Sequence, residues 1–343
     1  MELLKRLSEA AGVTGYEAPV RQVIVDELKS HVDSVEVDKM GNVIAHKKGD
    51  GPVVLIAGHM DEIGFLVSFI EEKTGFLRLS PVGGFDPVTL VAQRVEVHTK
   101  SGSLTGCIGR KPIHILTPEE RKKPVLLDDL FVDLGLSAEA VEEKVSIGDT
   151  VTLSQSYVEY GDVASGKALD DRLGVYVTIE AMKRAKSLDC DLYVVATTQE
   201  EIGLRGAHVA GFSVNPDIAI AVDVCTAADT PGVAANKQVS KLGDGTAISL
   251  RDARSVWHPG LCRAMIDLAK KRDIPHQVIV PNKGGTDANA FQLARAGSAA
   301  MALSVPTRYV HSVVETVNVK DVEATIDLLA AVLETAGSID LSR

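Results

Sequence analysis

Two adjacent carboxylates, Glu200 and Glu201, follow the apolar run Leu192-Tyr193-Val194-Val195-Ala196 after the short link Thr197-Thr198-Gln199. Acids at the end of a buried strand are costly unless a cation or a reaction uses them. Other acid or imidazole groups occupy equivalent places. His59 closes Val53-Val54-Leu55-Ile56-Ala57-Gly58, and Asp223 closes Ile218-Ala219-Ile220-Ala221-Val222. His311 lies a short loop beyond Ala299-Ala300-Met301-Ala302-Leu303. In open α/β sheets, ligands bind outside the carboxyl ends of the strands. Imidazole and carboxylate ligands gathered there point to zinc, cobalt or manganese rather than calcium or magnesium.

A hydrolytic two-metal site requires a carboxylate shared by both ions, further ligands on each, an open position for water, and a base outside the coordination shell. Asp170, at the loop-to-helix junction of Gly166-Lys167-Ala168-Leu169-Asp170-Asp171-Arg172, can span two ions. His59 and Asp223 then complete one ion, and Glu201 and His311 the other. Three carboxylates and a hydroxide balance the charge of two divalent ions, so such a cluster can be buried. Glu200 is left as general base, because consecutive side chains diverge and need not share a metal. Asp61, two residues past His59, is placed to hydrogen-bond the imidazole nitrogen that faces away from the metal.

The elements that carry these residues read as an α/β body with an insertion. Leu3, Leu4, Leu7 and Ala10, then Val20, Val23, Ile24 and Leu28, give two helical stripes. Val35–Val37 and Asn42–Ala45 form a hairpin pattern, and Val53–Ala57 reads as a strand covered on both faces. From about Glu72 to Asp162, short alternating segments at 76–79, 94–98, 104–108 and 150–153 are separated by glycine-rich turns, with one helix after Ser137. This stretch is expected to be a small antiparallel β-barrel-like domain (73–162) inserted between two parts (1–70 and 163–343) of the catalytic α/β domain. The α/β rhythm resumes with a helix at 171–186, strands at 192–197, 218–222 and 247–250, and a helix at 259–271. A strand at 277–280, a helix at 287–296, a strand at 299–303 and a final helix from about Lys320 follow.

Composition narrows the class. The 343 residues are 45% apolar, 24% charged and only 4% aromatic, so the core rests on Val, Leu, Ile and Ala. A net charge of −11 argues against a nucleic-acid partner, which needs a basic stripe. Cys107, Cys190, Cys225 and Cys262 form no C-x-x-C pair and read as free thiols. The amphipathic start Met1–Leu7 is followed by no long apolar region, and no run approaches the roughly 18 apolar residues of a membrane span. A cytoplasmic protein without a membrane partner is expected.

The strings Gly58-His59-Met60-Asp61-Glu62-Ile63-Gly64, Lys167-Ala168-Leu169-Asp170-Asp171-Arg172, Glu200-Glu201-Ile202-Gly203-Leu204-Arg205-Gly206-Ala207, Gly284-Gly285-Thr286-Asp287-Ala288 and Pro306-Thr307-Arg308-Tyr309-Val310-His311-Ser312 resemble the M42 family of metallo-aminopeptidases. The resemblance runs in order through nearly the whole chain. It implies a zinc-exopeptidase-like mixed sheet flanked by helices, and removal of N-terminal residues from peptides by a two-metal hydroxide mechanism. It also implies two Zn2+ or Co2+ ions at His59, Asp170, Glu201, Asp223 and His311, with Glu200 as base and Asp61 as supporting acid. Family members assemble from dimers into hollow dodecamers, so a homo-oligomer is expected.

Plainer roles are expected elsewhere. His31, His46, His98, His114, His208, His258 and His276 read as surface or satisfied histidines, and Asp128-Asp129 as surface. Asp171 reads as structural, Gly83-Gly84-Phe85 and Gly284-Gly285-Thr286 as tight turns, and Thr286 and Asp287 as residues that shape the site without ligating. Lys241–Gly245 is a candidate pocket wall. The alternatives are a different amide hydrolase on the same cluster, or a glycoside hydrolase. Two acids facing across a sugar suit the latter poorly when they are adjacent in the chain, and Trp257 is a thin supply of stacking surface.

Overall fold

In the computed structural model, which describes residues 1–342, the unbroken apolar runs form the middle of an 11-stranded mixed sheet. Its parallel strands lie in the order Asp191–Thr197, Val53–His59, Ile218–Thr226, Ala299–Arg308. Helices cover them, so nearly every side chain is buried and no polar alternation survives in the sequence. Antiparallel strands extend the sheet: Val43–Lys47 and Ser34–Val37 at one edge, and Glu315–Asn318, Val163–Gly166 and Val158–Tyr160 at the other. Thr246–Ser249 pairs with Ala299–Arg308 and carries His276–Ile279.

Register aligns the chemistry. Thr197 pairs with His59, and Ala221 with Ala57, so Asp223 ends at the level of His59. Helix Leu169–Arg184 packs on Val53–His59 and Ile218–Thr226, with Val319–Leu333 against it. It is buried almost throughout, so it carries no amphipathic stripe. Its start approaches the sheet at a glycine contact. A Cβ on Gly58 would collide with the main chain of Gly174 and Val175, and one on Gly174 would lie 2.5 Å from the Val222 carbonyl oxygen. That approach brings Asp170 and Asp171 beside His59.

Gly64–Ile70, Leu77–Val82, Leu130–Asp133, Gly102–Arg110, Arg94–Thr99 and Thr150–Leu153 close into an antiparallel barrel. It has its own core, including Phe65, Leu77, Val95, Val97, Val132 and Val151. The expected helix after Ser137 is Ala138–Lys144, capped by the Ser137 side chain.

The barrel strands run from Gly64 to Leu153, displaced from the 73–162 span expected from sequence texture. Gly64–Ile70 is as apolar as the preceding strand, so composition does not mark the crossing. Val158–Tyr160 belongs to the large sheet through its pairing with Val163–Gly166. The helix expected over 287–296 is limited to Ala288–Gln292, and the final helix starts at Val319, capped by Asn318. Among the described residues, no helix is long and apolar enough to cross a membrane.

Candidate metal centre

The chain brings together all five residues singled out as ligands. One potential ligand atom each of His59, Asp170 and Asp223 lies within 4.8 Å of the others, and the same holds for Asp170, Glu201 and His311. Asp170 belongs to both groups and faces an imidazole on each side. Its Oδ1 is 3.1 Å from His59 Nε2, and its Oδ2 is 3.3 Å from His311 Nε2. His311 Nε2 is also 3.5 Å from Glu201 Oε1. Glu200 belongs to neither group, but its Oε2 stands 3.9 Å from His59 Nε2.

Asp61 is fully buried and does more than the sequence indicates. Its Oδ1 lies 3.4 Å from His59 Nδ1, which is closer, at 3.2 Å, to the Asp61 carbonyl oxygen. The carboxylate accepts the Glu200 N–H at 3.0 Å, the Glu201 N–H at 3.3 Å and the Thr14 hydroxyl at 2.8 Å. One acid therefore ties the imidazole-bearing strand end to the Glu200-Glu201 turn. Asp171 has the structural role expected of it, accepting the N–H groups of His59 and Gly174.

Burial pushes the carboxyls of Asp171, Glu200 and Asp223 well above their ordinary range, and raises Glu201 as well. It pushes Asp287 up to about 6 and Glu315 up to about 8. The imidazoles move the other way from a buried base. Bonds to Asp170 and Glu201 raise His311 to about 11, and Asp170 and Asp61 outweigh burial to raise His59. The buried cations Lys167 and Arg172 are taken up by Glu62, which leaves the imidazoles as the groups able to offset this crowd of acids. This donor set is short of cations, and divalent ions fit it: they would offset the burial and the mutual repulsion that raise the carboxyls, and take the place of the imidazole protons.

Non-glycine residues with left-handed backbone cluster here: Ala168, Gln199, Tyr309 and His311, with φ of 52°, 55°, 61° and 62°. Such conformations persist where surrounding contacts fix them, and they collect at functional sites. Sequence reasoning did not single out two buried acids that brace these segments. Glu62 accepts from Lys167 Nζ at 2.7 Å and from the Gly12 N–H at 3.0 Å behind the site. Glu315 holds the Asp170 and His311 main chains. The signal was present, since Glu315 interrupts Val313-Val314-Glu315-Thr316-Val317 just as Glu200 and Glu201 end an apolar run.

The remaining histidines stay outside both groups. His46 meets Asp191, His98 meets Ser103 and Thr152, and His258 accepts from the Leu261 N–H at a helix start. His276 bonds the Ile274 carbonyl, while His31, His114 and His208 are exposed, as are Asp128 and Asp129. Asp287 is buried against the Thr197 hydroxyl, and all four cysteines are free thiols. Lys241–Gly245 is anchored to Asp321 by the Gly243 and Gly245 N–H groups. A cavity of about 300 Å³ is walled instead by residues including Val224, Cys225, Ser249, Asp252, Ala302 and Ser304, while Asp170, Glu201 and His311 line a smaller one together with Lys167 and Glu315. Trp257 is buried and bonded to Ser249, which removes it as a sugar platform.

The family model described as M42 glutamyl aminopeptidase matches residues 41–328. The chain is 40% identical to the lysyl aminopeptidase of Pyrococcus furiosus over 347 residues, covering 99% of each. Its fold matches the TET aminopeptidase of a marine-sediment Thaumarchaeota archaeon at TM-score 0.94, with 38% identity over 97% of this chain and 95% of that one. It also matches the TET1 peptidase of Pyrococcus horikoshii at TM-score 0.86, with 35% identity over 97% and 98%, a protein described as assembling into a tetrahedron or a large octahedral shell. The chain belongs to the M42 family and is a metal-dependent aminopeptidase.

Proposed function

We propose that this enzyme removes N-terminal residues from peptides with two divalent ions, zinc or cobalt. His59, Asp170 and Asp223 hold one, and Asp170, Glu201 and His311 hold the other. The observation that carries this reading is the membership of Asp170 in both ligand groups. When bound, such ions polarise a scissile carbonyl and make water acidic enough to lose a proton near neutral pH.

The side chains supply the rest. Glu200 stands free of the ligand groups, and the burial that raises its carboxyl favours its taking up a proton. It takes the proton of the attacking water at Oε2 and returns it to the leaving amine. Asp61 fixes Glu200 through its main-chain N–H and stands beside the outer nitrogen of His59. The cavity walled by Val224, Cys225, Ala302 and Ser304, which follow or pair with Asp223 and its strand, receives the side chain of the N-terminal residue.

This chain assembles as a homo-oligomer of dimers, up to a dodecamer, a reading supported by one solved relative described as a dodecamer and by another described as a tetrahedron or a large octahedral shell. The barrel is the dimer contact or lid, a role supported by the exposed Ile113, Ile115 and Leu126 on it. Free thiols and the net charge of −11 suit a cytoplasmic enzyme acting on peptides, with no nucleic-acid partner. The test is a panel of amino-acyl anilides and their N-acetylated counterparts, with and without chelator. Cleavage of the free-amine substrates alone, abolished by chelation and restored by Co2+ or Zn2+, is expected. Cleavage of N-acetylated substrates or persistence in chelator would refute the reading.

A further inference from the structure

One buried acid at this site is assigned no part in the chemistry above. Glu315 opens strand Glu315–Asn318 and is 2% exposed. It pairs with Gly166, so its side chain stands where the chain turns through Lys167-Ala168-Leu169 into Asp170. Its Oε2 accepts the Asp170 N–H at 2.9 Å, and its Oε1 accepts the His311 N–H at 2.7 Å. It belongs to neither ligand group. When ionised, a carboxylate accepts at both ends and donates at neither, and the two converging N–H groups favour that form against the burial that raises it.

Those two N–H groups belong to the segments that most need fixing. Tyr309 and His311 both have left-handed backbone, and Ala168 does so two residues before Asp170. The His311 side chain is 36% exposed, so packing holds it weakly. From this geometry we infer that Glu315 is a positioning residue. It locks the Asp170 and His311 main chains in one frame, so that Asp170, Glu201 and His311 are assembled before a cation arrives. Asp61 does the same for Glu200 and Glu201 across the site. The inference rests on the two-metal reading above.

The test is Co2+ titration of metal-stripped, full-length protein by calorimetry, with the thermal unfolding of each metal-free variant as control. Wild type binds two equivalents, and the one lost in His311→Ala identifies the Asp170–Glu201–His311 site. Glu315→Gln keeps the size but turns one acceptor into a donor facing an N–H. It is expected to weaken the His311-dependent equivalent about 10- to 100-fold, and the other equivalent, which shares Asp170 but not His311, by clearly less. If Glu315→Gln does not fold, Glu315→Asp, which withdraws both oxygens by one methylene, is judged by the same criterion. Two equivalents bound as in wild type, or both weakened equally, would overturn the assignment. Wild type binding fewer than two equivalents would instead overturn the two-metal reading.

Discussion

Replacing Asp61 by asparagine perturbs the site without changing its volume. The two carboxylate oxygens meet four donors: the Glu200 N–H at 3.0 Å, the Glu201 N–H at 3.3 Å, the Thr14 hydroxyl at 2.8 Å and His59 Nδ1 at 3.4 Å. Asparagine retains one acceptor. Its amide nitrogen, turned toward Oδ2, can be satisfied by Thr14, whose hydroxyl rotates to accept, but it opposes the Glu201 N–H. The loss is one charge-assisted bond, about 1.5–3 kcal/mol. Because Glu200 and Glu201 must both be placed for turnover, that converts to a fall in kcat/KM of about 10- to 150-fold at 1.4 kcal/mol per decade. Steady-state kinetics on an amino-acyl anilide, with metal content measured on the same samples, gives the answer. Thr14→Val removes the one donor able to reverse, and should cost less than the asparagine variant. Wild-type turnover in Asp61→Asn, or a larger loss in Thr14→Val, would refute this reasoning.

Glu200→Gln should keep both metal equivalents while turnover falls by about 10²–10⁴-fold, the span of a lost general base, and near-normal turnover would exclude it from that role. Gly174→Ala sets a methyl 2.5 Å from the Val222 carbonyl oxygen and 2.6 Å from Asp171 Oδ1, and should destabilise by about 1–3 kcal/mol in denaturant titration. An unchanged midpoint would mean that the helix does not depend on this contact. Metal-free protein should lose stability as pH rises. The carboxyls of Asp171, Glu200 and Asp223, raised by burial, contribute stability that is complete below their unfolded values and lost through their folded ones. His311, raised to about 11 by Asp170 and Glu201, acts in the same direction above its unfolded value. Thermal unfolding in chelator should therefore occur at lower temperature at pH 8 than at pH 5, and the reverse order would contradict the electrostatics described.

Much of this site was legible because its ligands interrupt apolar runs. His59 ends its strand, the Glu200-Glu201 pair follows Asp191–Thr197 after two residues, and Asp223 interrupts Ile218–Thr226, each next to Val, Ile and Ala, so their burial could be inferred from the chain alone. Asp170 was readable as a loop-to-helix residue, and its φ of −79° and ψ of 105° are indeed non-helical at the start of Leu169–Arg184. What the sequence hid were partnerships through the main chain. The bonds from Asp61 to Glu200 and Glu201, and from Glu315 to Asp170 and His311, depend on left-handed turns at Ala168, Gln199 and His311, where no glycine marks the bend. The barrel boundary was blurred for a related reason: Gly64–Ile70 looks like its predecessor, and the change of direction between His59 and Gly64 leaves no compositional trace.

The central claim is a pair of ions sharing Asp170, and anomalous scattering from a Co2+-loaded crystal tests it most directly. Two peaks per subunit are expected, one within about 2.0–2.3 Å of His59, Asp170 and Asp223 atoms and one equally close to Asp170, Glu201 and His311. A single peak, or a pair that leaves Asp170 outside the coordination of either ion, would contradict it.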